Sequence, residues 1–154
     1  MRRFEVAKGF ENCSVILPTR ATEGSAGYDI RVLTPNDTTV EIKPLESYVF
    51  DTGIKACMEK NEVLKIYIRS SIGIKKHLIL SNCVGIIDSD FYNNSKNDGH
   101  IRISVTNVSG SVQIIENNER IAQGIFVKYL TTEDDNTDKI REGGIGSTNS
   151  SSCS

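Results

Sequence analysis

The chain has 154 residues, enough for one domain with a real hydrophobic core. Its formal net charge of -2 and pI of about 5.7 give no overall basic field for nucleic acid or an anionic membrane, so local basic groups must do any phosphate binding. The four cysteines, Cys13, Cys57, Cys83 and Cys153, show no metal-type pair spacing, and with only His77 and His100 as extra nitrogen ligands a structural zinc site is not expected. No segment approaches membrane-spanning length, and the basic start, Met1 to Val6, is not followed by the apolar run of a signal peptide. A soluble, cytoplasmic protein with free thiols is expected.

In chain order, Val15-Ile16-Leu17 is a short apolar run ending at Pro18. Residues 21–30, A-T-E-G-S-A-G-Y-D-I, let the backbone bend closely before an extended segment from Tyr28 to Leu33. Pro35-Asn36-Asp37 reads as a turn and Val40 to Lys43 as a strand. A further strand runs from Tyr48 to Met58, interrupted near Gly53. Leu64, Ile66 and Ile68 alternate with Lys65, Tyr67 and Arg69, a period of two. Residues 69–77, R-S-S-I-G-I-K-K-H, place a guanidinium and two hydroxyls at a strand end, which suits an anion, and allow a short helix over Ser71 to Leu78.

The stretch from Asn82 to Asn93, N-C-V-G-I-I-D-S-D-F-Y-N, delivers Asp88 and Asp90 after an apolar run. With Ile101 to Val105 it predicts a β-hairpin with a carboxylate at the end of its first arm. A carboxylate held there can orient a water or accept a proton, although a solvated acidic turn would look the same. Further strands are expected at Val112 to Ile115 and Arg120 to Val127. Many short strands without a long helical period indicate an all-β sandwich or barrel over residues 1–130. Residues 131–154 are acidic, then rich in Gly and Ser, and are expected to form a flexible tail. Within them Gly143 to Thr148 has the makings of a phosphate cradle.

Taken together, these stretches resemble the five ordered motifs of the trimeric deoxyuridine triphosphatases (dUTPases). The motifs are A-T-x-x-S-A-G-Y-D-I at 21–30, R-S-S-I-G-I-K at 69–75, N-C-V-G-I-I-D-S-D-F at 82–91, E-R-I-A-Q at 119–123 and G-G-I-G-S-T at 143–148. The resemblance implies a jelly-roll β-sandwich protomer and a homotrimer with shared active sites. It also implies Mg²⁺-dependent hydrolysis of dUTP to dUMP and pyrophosphate, limiting uracil incorporation into DNA and supplying dUMP for dTMP synthesis. Residue by residue, Asp88 matches the carboxylate that activates the water attacking the α-phosphorus. Asn82 and the backbone of Ile86, Ile87 and Arg102 match the uracil-reading segment. Phe91 stands where the family has Tyr under the deoxyribose. Arg69, Ser70, Ser71 and Gln123 match phosphate-binding positions, and Asp29 matches an acid of the metal–water network, not a direct ligand. In the tail, Arg141, Gly146, Ser147 and Thr148 fall where the family closes on the terminal phosphates. Ile145 replaces a Phe that stacks on uracil, a loss on the order of 1 kcal/mol.

Base selectivity follows from hydrogen bonding. Backbone groups set for uracil are left unpaired by cytosine, which can give roughly 10⁴-fold rejection. Two rivals remain. A dCTP deaminase shares the R-S-S motif but needs a glutamate three residues before Asn107, where this chain has Ser104. A regulatory protein that binds dUTP with weak turnover is suggested by the altered tail, Ile145 and the shifted Arg141, and opposed by Asp88 and Gln123.

Overall fold

A computed structural model describes residues 1–139, 141, 143 and 144. Twelve strands and one short α-helix follow each other in the order β1 (Arg3–Val6), β2 (Thr19–Arg20), β3 (Tyr28–Arg31), β4 (Val40–Ile42), β5 (Ser47–Asp51), β6 (Ile54–Cys57), β7 (Glu62–Ile68), α1 (Ser70–Lys76), β8 (Leu78–Leu80), β9 (Gly85–Asp88), β10 (Arg102–Asn107), β11 (Gln113–Ile115) and β12 (Arg120–Lys128). A five-stranded sheet runs β2-β3-β12-β7-β9 and a three-stranded sheet β5-β10-β8. Two ribbons, β1-β6 and β4-β11, complete the framework. All these pairings are antiparallel. The protomer is an all-β jelly-roll sandwich.

Alternation along the strands builds the core. Leu64 and Ile66 of β7, Ile30 of β3 and Ile121 and Ala122 of β12 pack in one cluster with Phe50 of β5, Ile103 and Val105 of β10 and Leu78 and Leu80 of β8. Phe50 and Leu64 are fully buried, so truncating Phe50 to Ala costs about 3–5 kcal/mol. Gly53 separates β5 from β6 because it holds a φ of +69°, and a Cβ there would meet the Val15 side chain at 2.5 Å. The helix ends at His77, whose φ of 52° is left-handed. Among the described residues no helix is long and apolar enough to cross a membrane.

One element is new and one expectation changes. The N-terminal residues form β1, pairing with β6 from Arg3↔Cys57 to Val6↔Ile54. The expected hairpin between the Asn82–Asn93 stretch and Ile101–Val105 is not a ladder. β9 pairs with β7, whereas β10 pairs with β5 and β8. The 3-10 turn Ser89–Phe91 and the Asn-rich loop carry the chain from one sheet to the other.

Candidate active site

The separation of β9 from β10 creates the site. β9 is the edge of its sheet, so its outer row of N–H and C=O groups faces no strand. β10 is paired with β5 at Arg102↔Asp51, but its ladder with β8 begins only at Val105↔Leu80. Its other side is therefore open at Arg102. Between the two lies a cavity of about 420 Å³ lined by Asn82, Ile86, Ile87, Asp88, Phe91 and Arg102. As an edge strand β9 leaves alternate backbone N–H and C=O groups free on its outer side, and groups so placed can read a planar base with a fixed donor and acceptor pattern.

Arg141 and Gly144 line the same cavity. The Arg141 guanidinium spans both carboxylates of the Asp-Ser-Asp turn, donating from Nη2 to Asp88 Oδ2 and from Nε to Asp90 Oδ1 at 2.7 Å. Sequence reasoning put Arg141 on a phosphate and missed Asp90, although the Asp88-x-Asp90 spacing was in view. His100 also lines the cavity. Its Nε2 accepts the Gly53 N–H at 3.2 Å, and the ring packs on Phe10 with centroids 4.3 Å apart. Burial pushes the His100 imidazole below its ordinary value, against the pull of Asp51 and with help from Arg102.

A second cluster sits on β3, β7 and β12. The Asp29 carboxylate is clamped between two guanidinium groups, Arg69 Nε at 2.9 Å and Arg120 Nη1 at 2.9 Å. Its side chain is only 12% exposed. Both oxygens are thus spoken for, and two fixed cations stand beside them. In this arrangement Asp29 positions the two arginines, each held through its own carboxylate oxygen. Arg120 was missed by sequence reasoning, although E-R-I-A-Q contains it. Strand register explains the meeting: Gln123 lies opposite Asp29 on one side and Tyr67 on the other. Gly27 makes room for Gln123, because a Cβ there would lie 2.3 Å from Gln123 Oε1. Ser70 and Ser71 open α1 directly after Arg69. Arg69 holds Asp29 through Nε and donates from Nη1 to Arg120 O at 3.3 Å, and its guanidinium beside two hydroxyls is a combination that suits phosphate oxygens.

The cavity lining includes none of Arg69, Ser70, Ser71 and Gln123. Ile145, Gly146, Ser147 and Thr148 lie outside the described residues. Among the described residues no three His, Cys, Asp or Glu side chains gather as a metal-binding group.

The dUTPase family model matches residues 14–154. The chain is 43% identical over 150 residues to deoxyuridine 5'-triphosphate nucleotidohydrolase of Lactococcus lactis, covering 96% of this chain and 97% of that one. It is 39% identical over 138 residues to the Finegoldia magna protein of the same name, covering 86% and 90%. The crystal structure of dUTPase from Streptococcus mutans matches with a TM-score of 0.73 at 36% identity, covering 84% of this chain and 98% of that one.

Proposed function

The chain belongs to the dUTPase family and hydrolyses dUTP to dUMP and pyrophosphate, and we propose that it does so with Asp88 as the base that activates water. The observation that carries this reading is the cavity between the edge strand β9 and the Arg102 end of β10, with Asp88 on its wall. Uracil enters between the strands and pairs with backbone groups of Ile86, Ile87 and Arg102, with Asn82 beside it. Phe91 lies under the deoxyribose. Water held by the Asp88 carboxylate loses its proton to it and attacks the α-phosphorus in line. The bond from that phosphorus to the bridging oxygen breaks, and pyrophosphate leaves with the electron pair. Asp88 must first be released by Arg141, which exchanges its two carboxylates for the terminal phosphate of the substrate.

Arg69, Ser70, Ser71 and Gln123 bind the phosphate chain, with Gly146, Ser147 and Thr148 closing on its end and Ile145 covering the base. Mg²⁺ fits on the phosphate oxygens with its own waters, where it neutralises charge, because it demands no protein cage. The cavity half and the phosphate half are separate surfaces of one chain, which supports a homotrimer in which neighbouring copies complete each site. Residues 1–130 form the catalytic domain and the segment from 131 onward its closing tail.

Pyrophosphate release from dUTP, dCTP, dTTP and UTP, each with Mg²⁺ and with chelator, tests the reading. Fast release from dUTP with Mg²⁺ alone is expected. Binding of dUTP without release would replace it with the regulatory reading.

A further inference from the structure

We propose that Lys55, through the loop 93–99 that it braces, sets the discrimination between deoxyribose and ribose by holding Phe91 and Asn97 firmly at the cavity wall. The proposal rests on the placement of Phe91 under the sugar given above.

Lys55 lies on β6 and is 9% exposed. Lysine is rarely buried unless it is paired, and here its ammonium ties together both ends of the loop. Nζ donates to Asn93 Oδ1 at 2.6 Å and to Asp98 Oδ2 at 2.8 Å. It also stands 5.1 Å from the centre of the Tyr92 ring. Asp98 Oδ2 accepts the Lys8 N–H at 2.8 Å, and the Tyr92 hydroxyl donates to Glu5 Oε2 at 2.8 Å. Burial alone would push the Asp98 carboxyl up, but Lys55 and the Lys8 amide outweigh it and hold it below its ordinary value.

Inside the loop, Asn94 Nδ2 donates to Phe91 O at 2.8 Å and to Asn97 Oδ1 at 2.6 Å. Asn93, Asp98 and Gly99 all hold left-handed φ values, of 55°, 60° and 80°. A Cβ at Gly99 would lie 2.7 Å from the Phe91 carbonyl oxygen and 3.0 Å from Tyr92 Cα. The loop therefore lies flush on the backbone that carries the Phe91 ring. Its return brings Asn97 to the cavity beside that ring.

This bracing has a chemical purpose. An apolar surface alone rejects an added hydroxyl by only about 10²-fold. Rejection of a 2′-hydroxyl then depends on how little the wall yields. Lys55 does not touch the substrate; it is a positioning residue that keeps the wall from yielding.

The test compares kcat/KM for dUTP and UTP in the wild type, Lys55→Met, Lys55→Arg and Gly99→Ala. Lys55→Met and Gly99→Ala are expected to lower the dUTP-to-UTP ratio about tenfold or more, by improving KM for UTP while kcat for dUTP stays nearly constant. Lys55→Arg is expected to restore most of the ratio. If Lys55→Met does not fold, Asp98→Ala removes one of its partners and is read the same way. The ratio of dUMP to UMP binding, measured by calorimetry, gives the same comparison without turnover. Failure of the wild type to cleave dUTP would sink the proposed reaction, not this inference. An unchanged ratio in folded Lys55→Met and Gly99→Ala would overturn it.

Discussion

The cavity between β9 and β10 and the arginine cluster around Asp29 are built by opposite means. The cavity presents backbone groups of the edge strand β9 and of the unpaired end of β10, which cannot be changed by substituting a side chain. The cluster presents charges whose positions depend on one another. Asp29 holds Arg69 and Arg120 at 2.9 Å each, so loss of one residue disturbs two. Selectivity for the base is therefore expected to survive single substitutions better than affinity for the triphosphate.

The largest effect should come where the two regions act on the same atom. Asp88→Asn keeps the shape of the cavity and removes the base, so turnover should fall about 10²–10⁴-fold while a non-hydrolysable dUTP analogue still binds. Near-normal steady-state rates would remove Asp88 from that role. Next comes Asp29→Ala, which leaves two guanidinium groups without their shared partner. KM for dUTP should rise about tenfold or more, the scale expected when a largely buried ion pair is broken. Binding of deoxyuridine, measured by calorimetry, should stay unchanged, because the cavity is untouched. If both fall together, the two regions are not independent.

A smaller effect is expected at Gly27. A Cβ there displaces the Gln123 amide, so Gly27→Ala should lower kcat about tenfold. Combined with Gln123→Ala it should add little, since both act on one side chain. The smallest effect is on stability. The folded His100 binds its proton less readily than the unfolded chain, whose imidazole titrates near 6.5. The unfolded state then takes up more protons as pH falls, so this contribution is complete above about pH 6.5 and declines below it. Thermal unfolding across that range should show the decline, and His100→Gln should flatten it.

The strands were legible where apolar and polar residues alternate, as from Leu64 to Arg69 in and just after β7, and the break at Gly53 was visible as a glycine between two apolar runs. β1 was not read from the sequence because its four residues carry little local signal and its pairing with β6 depends on a partner fifty residues away. The false hairpin has a similar cause. Periodicity identifies a strand but carries no information on which neighbour it takes. The segment Asn82 to Phe91 announced its residues because they are contiguous. The Asp29–Arg69–Arg120 clamp did not, since only the register of β12 on β3 and β7 brings those three residues together.

An edge left open for a base is open to any strand. Ile86 stands 52% exposed on β9, beside unpaired amides, so this is also the place where two copies can stack by mistake. Arg141, bound to Asp88 and Asp90 at the end of that edge, is a bulky charged side chain in the way of the error. A nucleotide seated in the gap as proposed would also keep a foreign strand out.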